Sequence, residues 1–230
     1  MPHISIVIPA KNEEGYIDDC LKSIESQTFK DYEIIIVDGG DDRTMEIARK
    51  YGAKVIIEKR KGPATARNIG AKHAKGEILI FADADVRFEQ NFLMKIERKF
   101  NRDIGGAICK SCAYDAKTGK YNILYDLTNI FAWFLIKCGL IVTTGSCFIY
   151  RKNMFEKAGG FDEKLCTAED HDLAKRISKI ARFEMFNDLT INTSARRANR
   201  MGFNKAVLLT VKSSLFYFFK HKGLYEYWNY

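Results

Sequence analysis

The sequence predicts an α/β fold, a mainly parallel central sheet flanked by helices with a helical appendage at its C-terminal end. Three observations carry that expectation. Over about the first 80 residues, four short apolar runs alternate with three helical patterns, the order that βαβ units impose. Three polar clusters, at 9–13, 38–42 and 83–85, fall directly after such runs, at the edge where open α/β sheets bind ligands. The composition, 47% hydrophobic and 29% charged, is that of a folded chain and excludes disorder over most of the 230 residues.

Taken in order, residues 4–8 are a β-branched run stopped by Pro9, a buried-strand signal. From 13 to 26, Ile17, Leu21 and Ile24 recur at helical spacing. Residues 33–37 form a second buried strand, which ends abruptly at Asp38, Gly39 and Gly40. Residues 44–51 read as a second helix, 54–57 as a third strand and 63–75 as a third helix. Gly76 separates that helix from a fourth strand at 78–82. Right-handed crossovers between such units place the strand C-termini along one edge. The second half is less regular, with a helix predicted over 89–101, strands over 106–112 and 146–150, a helix over 168–181 and a strand over 182–186. No internal repeat and no linker is visible, so the simplest division is one domain, 1–202, and a basic, aromatic tail, 203–230, helical in its first two-thirds.

A formal charge of +8 and a pI near 9.1 favour anionic partners: phosphates, nucleic acid or acidic lipid headgroups. The positive charge is scattered and no reader motif is present, which argues against nucleic acid. Of six cysteines only Cys109 and Cys112 form a C-x-x-C, with no second pair or His pair at zinc spacing, so they read as buried or incidental thiols. The N-terminus has no basic segment followed by an apolar run, and the expected location is cytoplasmic. Nothing in the sequence sets the oligomeric state.

Asp83 and Asp85 flank one small residue, Ala84, directly after an apolar strand. There they can converge on one divalent cation, Mg2+ or Mn2+, which completes its shell with water and phosphates. Two aspartates can equally end a strand as turn residues. Asp38 could accept from a pyrimidine N–H or ribose hydroxyls, its two glycines letting backbone approach a ligand, or could open a turn whose Asp41 or Asp42 serves the next helix. Residues 60–68 hold Arg60, Lys61 and Arg67 around Gly62 at a helix start, suited to a diphosphate or to solvent alike. Glu169 and Asp170 open a helix, where its dipole favours acids, and one of them could also act as a general base. No G-x-x-x-x-G-K-[ST] and no G-x-G-x-x-G is present, which weakens ATPase and Rossmann dehydrogenase readings.

Together these segments resemble family 2 glycosyltransferases of the GT-A fold. Residues 6–14, Ile-Val-Ile-Pro-Ala-Lys-Asn-Glu-Glu, look like that family's opening strand and nucleotide-contacting turn. Residues 36–44 and 62–71 look like its second and third motifs, and Phe-Ala-Asp-Ala-Asp at 81–85 like its metal motif. Gly-Gly-Phe-Asp-Glu at 159–163 and Ala-Glu-Asp-His-Asp-Leu at 168–173 look like the segment before the catalytic helix and the base-bearing motif. The likeness spans about residues 3–200. It implies an inverting transferase that moves one sugar from a UDP- or GDP-linked donor to an acceptor hydroxyl, with 1–100 as the nucleotide-binding half and 101–202 as the acceptor half. It implies donor contacts from Pro9, Ala10, Asn12, Glu13, Asp38, Gly62, Arg67 and Ala84, and metal binding chiefly through Asp85, with Asp83 nearer the ribose or diphosphate. Asp170 becomes the expected base, with Glu169 beside it near the acceptor. Arg196 and Arg197 look like a variant segment that holds the diphosphate after closure.

Two departures matter. The second motif reads Asp38-Gly39-Gly40-Asp41 where Asp-Asp-Gly-Ser is common, so a second acidic contact is lost or moved. The Q-x-x-R-W of processive members is absent, which favours single-sugar transfer. The rival reading is a sugar-nucleotide nucleotidyltransferase, for which the sequence lacks an obvious Gly-rich N-terminal loop. Residues 123–144 are apolar but interrupted by Asp126 and Lys137, so they suit a buried or interfacial helix better than a bilayer crossing. In the tail, Lys205, Lys212, Lys220 and Lys222 stand among aromatics, the composition of a surface helix on anionic lipid or of a helix packed on the domain. Peripheral attachment at the inner face of the cell membrane would suit an acceptor that is lipid-linked or a cell-envelope glycan.

Overall fold

The computed structural model describes residues 2–59, 62–101, 103–116, 119–143, 145–165 and 167–202, together with 205 and 208. The β-branched runs are strands because such side chains lose little rotamer freedom there and pack on both faces of a covered sheet. β1 (Ile4–Ala10), α1 (Ile17–Glu25), β2 (Tyr32–Asp38), α2 (Thr44–Lys50), β3 (Lys54–Ile57), α3 (Pro63–His73) and β4 (Ile78–Ala82) follow one another as expected. They are succeeded by β5 (Val86–Phe88), α4 (Phe92–Lys99), β6 (Ile104–Ala113), α5 (Gly119–Lys137), β7 (Cys147–Arg151), α6 (Lys152–Lys157), α7 (Glu169–Ser178), β8 (Arg182–Thr193) and α8 (Arg196–Met201).

All eight strands join one sheet in the order β3-β2-β1-β4-β7-β6-β8-β5. The first four are mutually parallel. β7 is antiparallel to both β4 and β6, β6 and β8 are parallel, and β5 closes the edge antiparallel to β8. Four of the seven pairings are parallel, so the sheet is mainly but not wholly so. One face is covered by α1, α2 and α4 through Leu21, Ile24, Ala48, Phe92 and Ile96. The other is covered by α3, α5, α6 and α7 through Ala71, Ile136, Phe155, Leu173 and Ile177.

Three differences from the sequence reading have plain causes. The first helix begins at Ile17 rather than near 13, because Tyr16 and Ile17 both donate to the Glu13 carbonyl in a turn. The strand expected at 182–186 runs on to Thr193: its register against β6 jumps from Cys109↔Phe186 to Lys110↔Thr190. The polar Asn187 and Asp188 are therefore an irregularity within a strand, not its end. β5 has only three residues, too short to leave a period in the sequence. Cys109 is buried and Cys112 half-buried, unpaired, and burial pushes the Cys112 thiol up.

Candidate active site

The parallel strands deliver their polar clusters to one edge. After β1, Asn12 takes a left-handed conformation (φ 57°), and its Oδ1 accepts from the Asp41 backbone N–H at 3.0 Å. Gly40 lies so close that a Cβ there would stand 2.5 Å from the Asn12 nitrogen, which is why this turn carries a glycine. The Gly39 N–H donates to the Ala10 carbonyl at 3.0 Å, locking the two strand ends together. Pro9 lies within β1, opposite Val37. Asp38 is 1% exposed; its Oδ1 accepts from the Gly40 N–H at 2.9 Å and its Oδ2 is buried with no partner. Burial pushes this carboxyl up. A buried acceptor lacking a donor is what a ligand N–H or hydroxyl would satisfy. Asp42 serves the next helix: it accepts from the Thr44 and Glu14 backbone N–H groups, each at 3.0 Å.

The second cluster follows β4. Asp83 donates its backbone N–H to the Ser146 carbonyl at 3.1 Å, Ala84 is buried, and Asp85 is 8% exposed. Arg196, at the start of α8, grips Glu13 with both Nη atoms (2.6 and 2.7 Å), reaches Asp85 Oδ2 with Nε at 3.0 Å, and covers the Tyr16 ring. Burial, with Asp83 and Glu13 close by, pushes the Asp85 carboxyl up to about 7 against the pull of Arg196. Glu13 and Asp85 thus share the one guanidinium of Arg196. Among the described residues no group of three or more His, Cys, Asp or Glu side chains is arranged to hold a metal ion alone. Two carboxylates with hard oxygen donors fit Mg2+ or Mn2+ that takes its remaining ligands from water and phosphate. A hollow of ≈ 290 Å³ opens here between Lys11, Asn12, Glu13, Tyr16, Arg196, Arg200 and Met201. A hollow of ≈ 480 Å³ at the opposite ends of β2 and β3 is larger but holds none of these groups.

α3 connects this edge to α7. It packs so tightly on β1 that a Cβ on Gly70 would stand 2.2 Å from Val7 Cγ1. Gly62 precedes the helix at φ 113°, a conformation that glycine alone adopts freely. Arg67 is 4% exposed, with Nη1 on Glu169 Oε1 at 2.6 Å and Nη2 on Asp83 Oδ1 at 3.0 Å. Its guanidinium lies by the Phe148 and Phe161 rings, and its Nε is buried without a partner. Asn68 holds the Gly159–Gly160–Phe161 loop from the same helix, donating to the Phe161 carbonyl and accepting its N–H, both at 2.9 Å. Asp83 after β4 and Glu169 at the start of α7 are thus joined through one buried arginine.

At that start Ala168 is left-handed (φ 62°, ψ 19°), and Glu169 and Asp170 are both buried. Burial pushes Glu169 up, with Asp170 adding to it against Arg67. Burial also acts on Asp170, but the His171 ring, the Thr143 hydroxyl and Arg67 outweigh it and hold that carboxyl well below the usual range. Thr143 donates to Asp170 Oδ2 at 2.6 Å and meets His171 Nδ1, which lies 3.5 Å from Asp170 Oδ1. Burial lowers His171, but Asp170 raises it further, so its net shift is upward.

Every expected site residue with a described side chain therefore lies on this edge or on the helices joined to it. The Arg197 side chain and the tail 203–230, apart from residues 205 and 208, lie outside the described residues. Sequence reasoning missed Thr143, His171 and Tyr16. Thr143 sat at the end of an apolar stretch and carried no signal. His171 directly follows Asp170, and Tyr16 lies three residues past Glu13, so adjacency to a charged motif was the available clue.

The chain belongs to glycosyl transferase family 2, whose model matches residues 5–159. Glycosyltransferase AglE of Haloferax volcanii is 37% identical over 102 residues, 40% of this chain and 34% of that protein. Glycosyltransferase EpsJ of Bacillus subtilis is 29% identical over 196 residues, 74% of this chain and 54% of that protein. The chain thus spans about a third to a half of the length of these relatives. The mannosyltransferase PcManGT from Pyrobaculum calidifontis, solved with GDP-Man and Mn2+, superposes at a TM-score of 0.70 and 21% identity over 84% of this chain and 57% of that one. S. aureus TarS 1–349 with UDP-GlcNAc gives 0.63 and 22% over 83% and 58%. These likenesses establish the GT-A fold.

Proposed function

We propose that the protein is an inverting, metal-dependent glycosyltransferase that moves one sugar from a UDP- or GDP-linked donor to an acceptor hydroxyl. The observation that carries this reading is Arg67, which holds Asp83 and Glu169 at once and so sets a cation-type carboxylate pair beside a base-type one. The family and the donors in the similar solved structures, GDP-Man with PcManGT and UDP-GlcNAc with TarS, support the donor class.

In this reading Asp38 Oδ2 accepts from the nucleobase or ribose, and residues 9–13 line the nucleotide with Gly62 and Ala84 nearby. Asp85 chiefly, with Asp83, would hold Mg2+ or Mn2+, and the bound cation would neutralise charge on the departing diphosphate. Arg196, which pairs with Asp85 here, and Arg197 are the cations of this segment suited to the diphosphate. Asp170, kept ionised by its neighbours, takes the proton of the acceptor hydroxyl. The freed oxygen bonds to the anomeric carbon from the side opposite the leaving group, and the bond from that carbon to the diphosphate oxygen breaks. Glu169 and Arg67 fix the helix that presents the base. Residues 1–100 act as the nucleotide half and 101–202 as the acceptor half of one catalytic domain. The tail 203–230 attaches peripherally at the cytoplasmic face of a membrane, where the acceptor is lipid-linked or a cell-envelope glycan.

A panel of UDP- and GDP-sugars, each with Mg2+ or Mn2+, tests the reading by release of nucleoside diphosphate. Release that depends on the cation is expected. Formation of UTP or GTP and sugar 1-phosphate when pyrophosphate is added, with no release of nucleoside diphosphate, would replace it with nucleotidyl transfer.

A further inference from the structure

α5 is apolar over most of both sides, with exposed Asp126 the one charged residue between 123 and 134. Its inner side, Tyr121, Ala132 and Ile136, is buried, and Asn129 pins it to β6 by exchanging hydrogen bonds with the Ser111 backbone at 2.9 and 3.1 Å. On the outer side Ile123, Leu127, Ile130, Phe131 and Phe134 recur at helical spacing, and each is 56–64% exposed. Of the ten large hydrophobic side chains exposed among the described residues, seven lie between 123 and 140. That concentration is a patch and not the ordinary scatter of surface apolar groups. A helix that is apolar all round needs cover on its second face.

We infer that this outer arc of α5 lies on the surface of an anionic lipid bilayer. No described helix is long and apolar enough to cross a membrane, so a helix lying at the surface is the geometry left. The net charge of +8 draws the chain to acidic headgroups and sets two copies of it against one another. Asp115, four residues before α5, accepts from Ser194 Oγ and the Ala195 N–H, each at 2.5 Å, and its carbonyl accepts from Asn199 Nδ2 at 3.1 Å. Residues 194–199 are therefore held at the edge of the same surface, and the sequence that follows carries Lys205, Lys212, Lys220 and Lys222. At its other end α5 leads into Thr143, which donates to Asp170. If Asp170 is the base, which rests on the function proposed above, the membrane-facing helix borders the acceptor side of the site. The acceptor is then a hydroxyl carried on a lipid.

Co-sedimentation of the full chain with vesicles of phosphatidylcholine, alone or mixed with phosphatidylglycerol, tests this without donor or metal. Its failure is therefore separable from failure of the transferase reading. The wild type is expected to bind the mixed vesicles, more weakly in high salt. Phe131→Ser/Phe134→Ser is expected to lose about tenfold or more in partitioning, because each ring contributes substantial apolar area. Its melting temperature and nucleoside diphosphate binding should match the wild type. Equal binding by the double variant, no binding by the wild type, or a dimer in light scattering that the variant abolishes would each overturn the assignment. The last result would make a second copy the occupant.

Discussion

In β1–β4 the residues that line the site stand next to the strands that position them: Asn12 and Glu13 after β1, Asp38 at the end of β2, Asp83 and Asp85 after β4. In β5–β8 they do not. Glu169 and Asp170 start a helix, Thr143 sits in a loop, and Arg196 meets Glu13 across 183 residues of sequence. The first half builds its part of the site from chain adjacency, the second from long-range hydrogen bonds and ion pairs. Substitutions in the first half should therefore disturb what binds. Those in the second should disturb rate and stability.

The largest effects test that division directly. Asp85→Ala is expected to lower cation-dependent transfer by about 10³-fold or more and to remove the cation's contribution to donor affinity. Asp170→Asn is expected to lower transfer by ~10²–10⁴-fold, the range for a positioned base, with donor affinity in Mn2+ within about twofold of wild type. Turnover and calorimetric titration of the donor read both. If Asp170→Asn weakens donor binding as much as Asp85→Ala does, the two halves are not functionally distinct.

This asymmetry also explains what the sequence revealed. The parallel half was legible nearly residue by residue, because β-branched runs, glycines and carboxylates mark each strand end locally. Glu169 and Asp170 were only weakly legible, since acids opening a helix are ordinary, and it took the motif resemblance to choose Asp170 as the base. The partnership of Arg67 with Glu169, 102 residues apart, was not legible, because no local pattern records a buried contact. Nor was the end of β8, which the sequence placed at 186, before Asn187 and Asp188, and the register with β6 carries on to Thr193.

Arg67→Met breaks the brace between the halves. Glu169, 5% exposed, would keep its burial and lose its cation. Removing one partner of a buried pair typically destabilises by about 3–5 kcal/mol. Urea unfolding should show most of that loss, and adding Glu169→Gln should recover part of it. Recovery would separate an unpaired charge from lost packing against Phe148 and Phe161. No loss at all would mean the halves hold together without this contact.

A smaller effect concerns the Asp170–His171–Thr143 cluster. Asp170 is depressed, so its contribution is present above the ordinary carboxylate range and fades as pH falls through its lowered pKa. His171 is raised above its ordinary 6.5, so its contribution is whole below that value and fades as pH rises through the raised one. The pair is intact between these limits, with Glu169 and Arg67 the other charges acting on it. Melting temperatures should therefore decline on the alkaline side of neutrality, and His171→Gln should flatten that decline. An unchanged slope would assign the pH dependence to other groups.

The smallest effect sets one left-handed residue from each half against the other. Asn12 (φ 57°) belongs to a residue type that tolerates this conformation, and its side chain already accepts from the Asp41 N–H. Ala168 (φ 62°) has no such compensation, and the conformation costs an alanine about 1–2 kcal/mol. Glycine at 168 would relieve that strain but bring its own entropic cost of roughly 0.5–1 kcal/mol. The expected result is a stability change between about zero and +1.5 kcal/mol. Asn12→Gly relieves little strain and forfeits a hydrogen bond, so it should destabilise by about 0.5–1.5 kcal/mol. Thermal melts of the two variants should thus move in opposite directions or differ by about 1 kcal/mol. Equal destabilisation would mean that Ala168 is held as comfortably as Asn12. The strain at the start of α7 would then no longer distinguish the second half from the first.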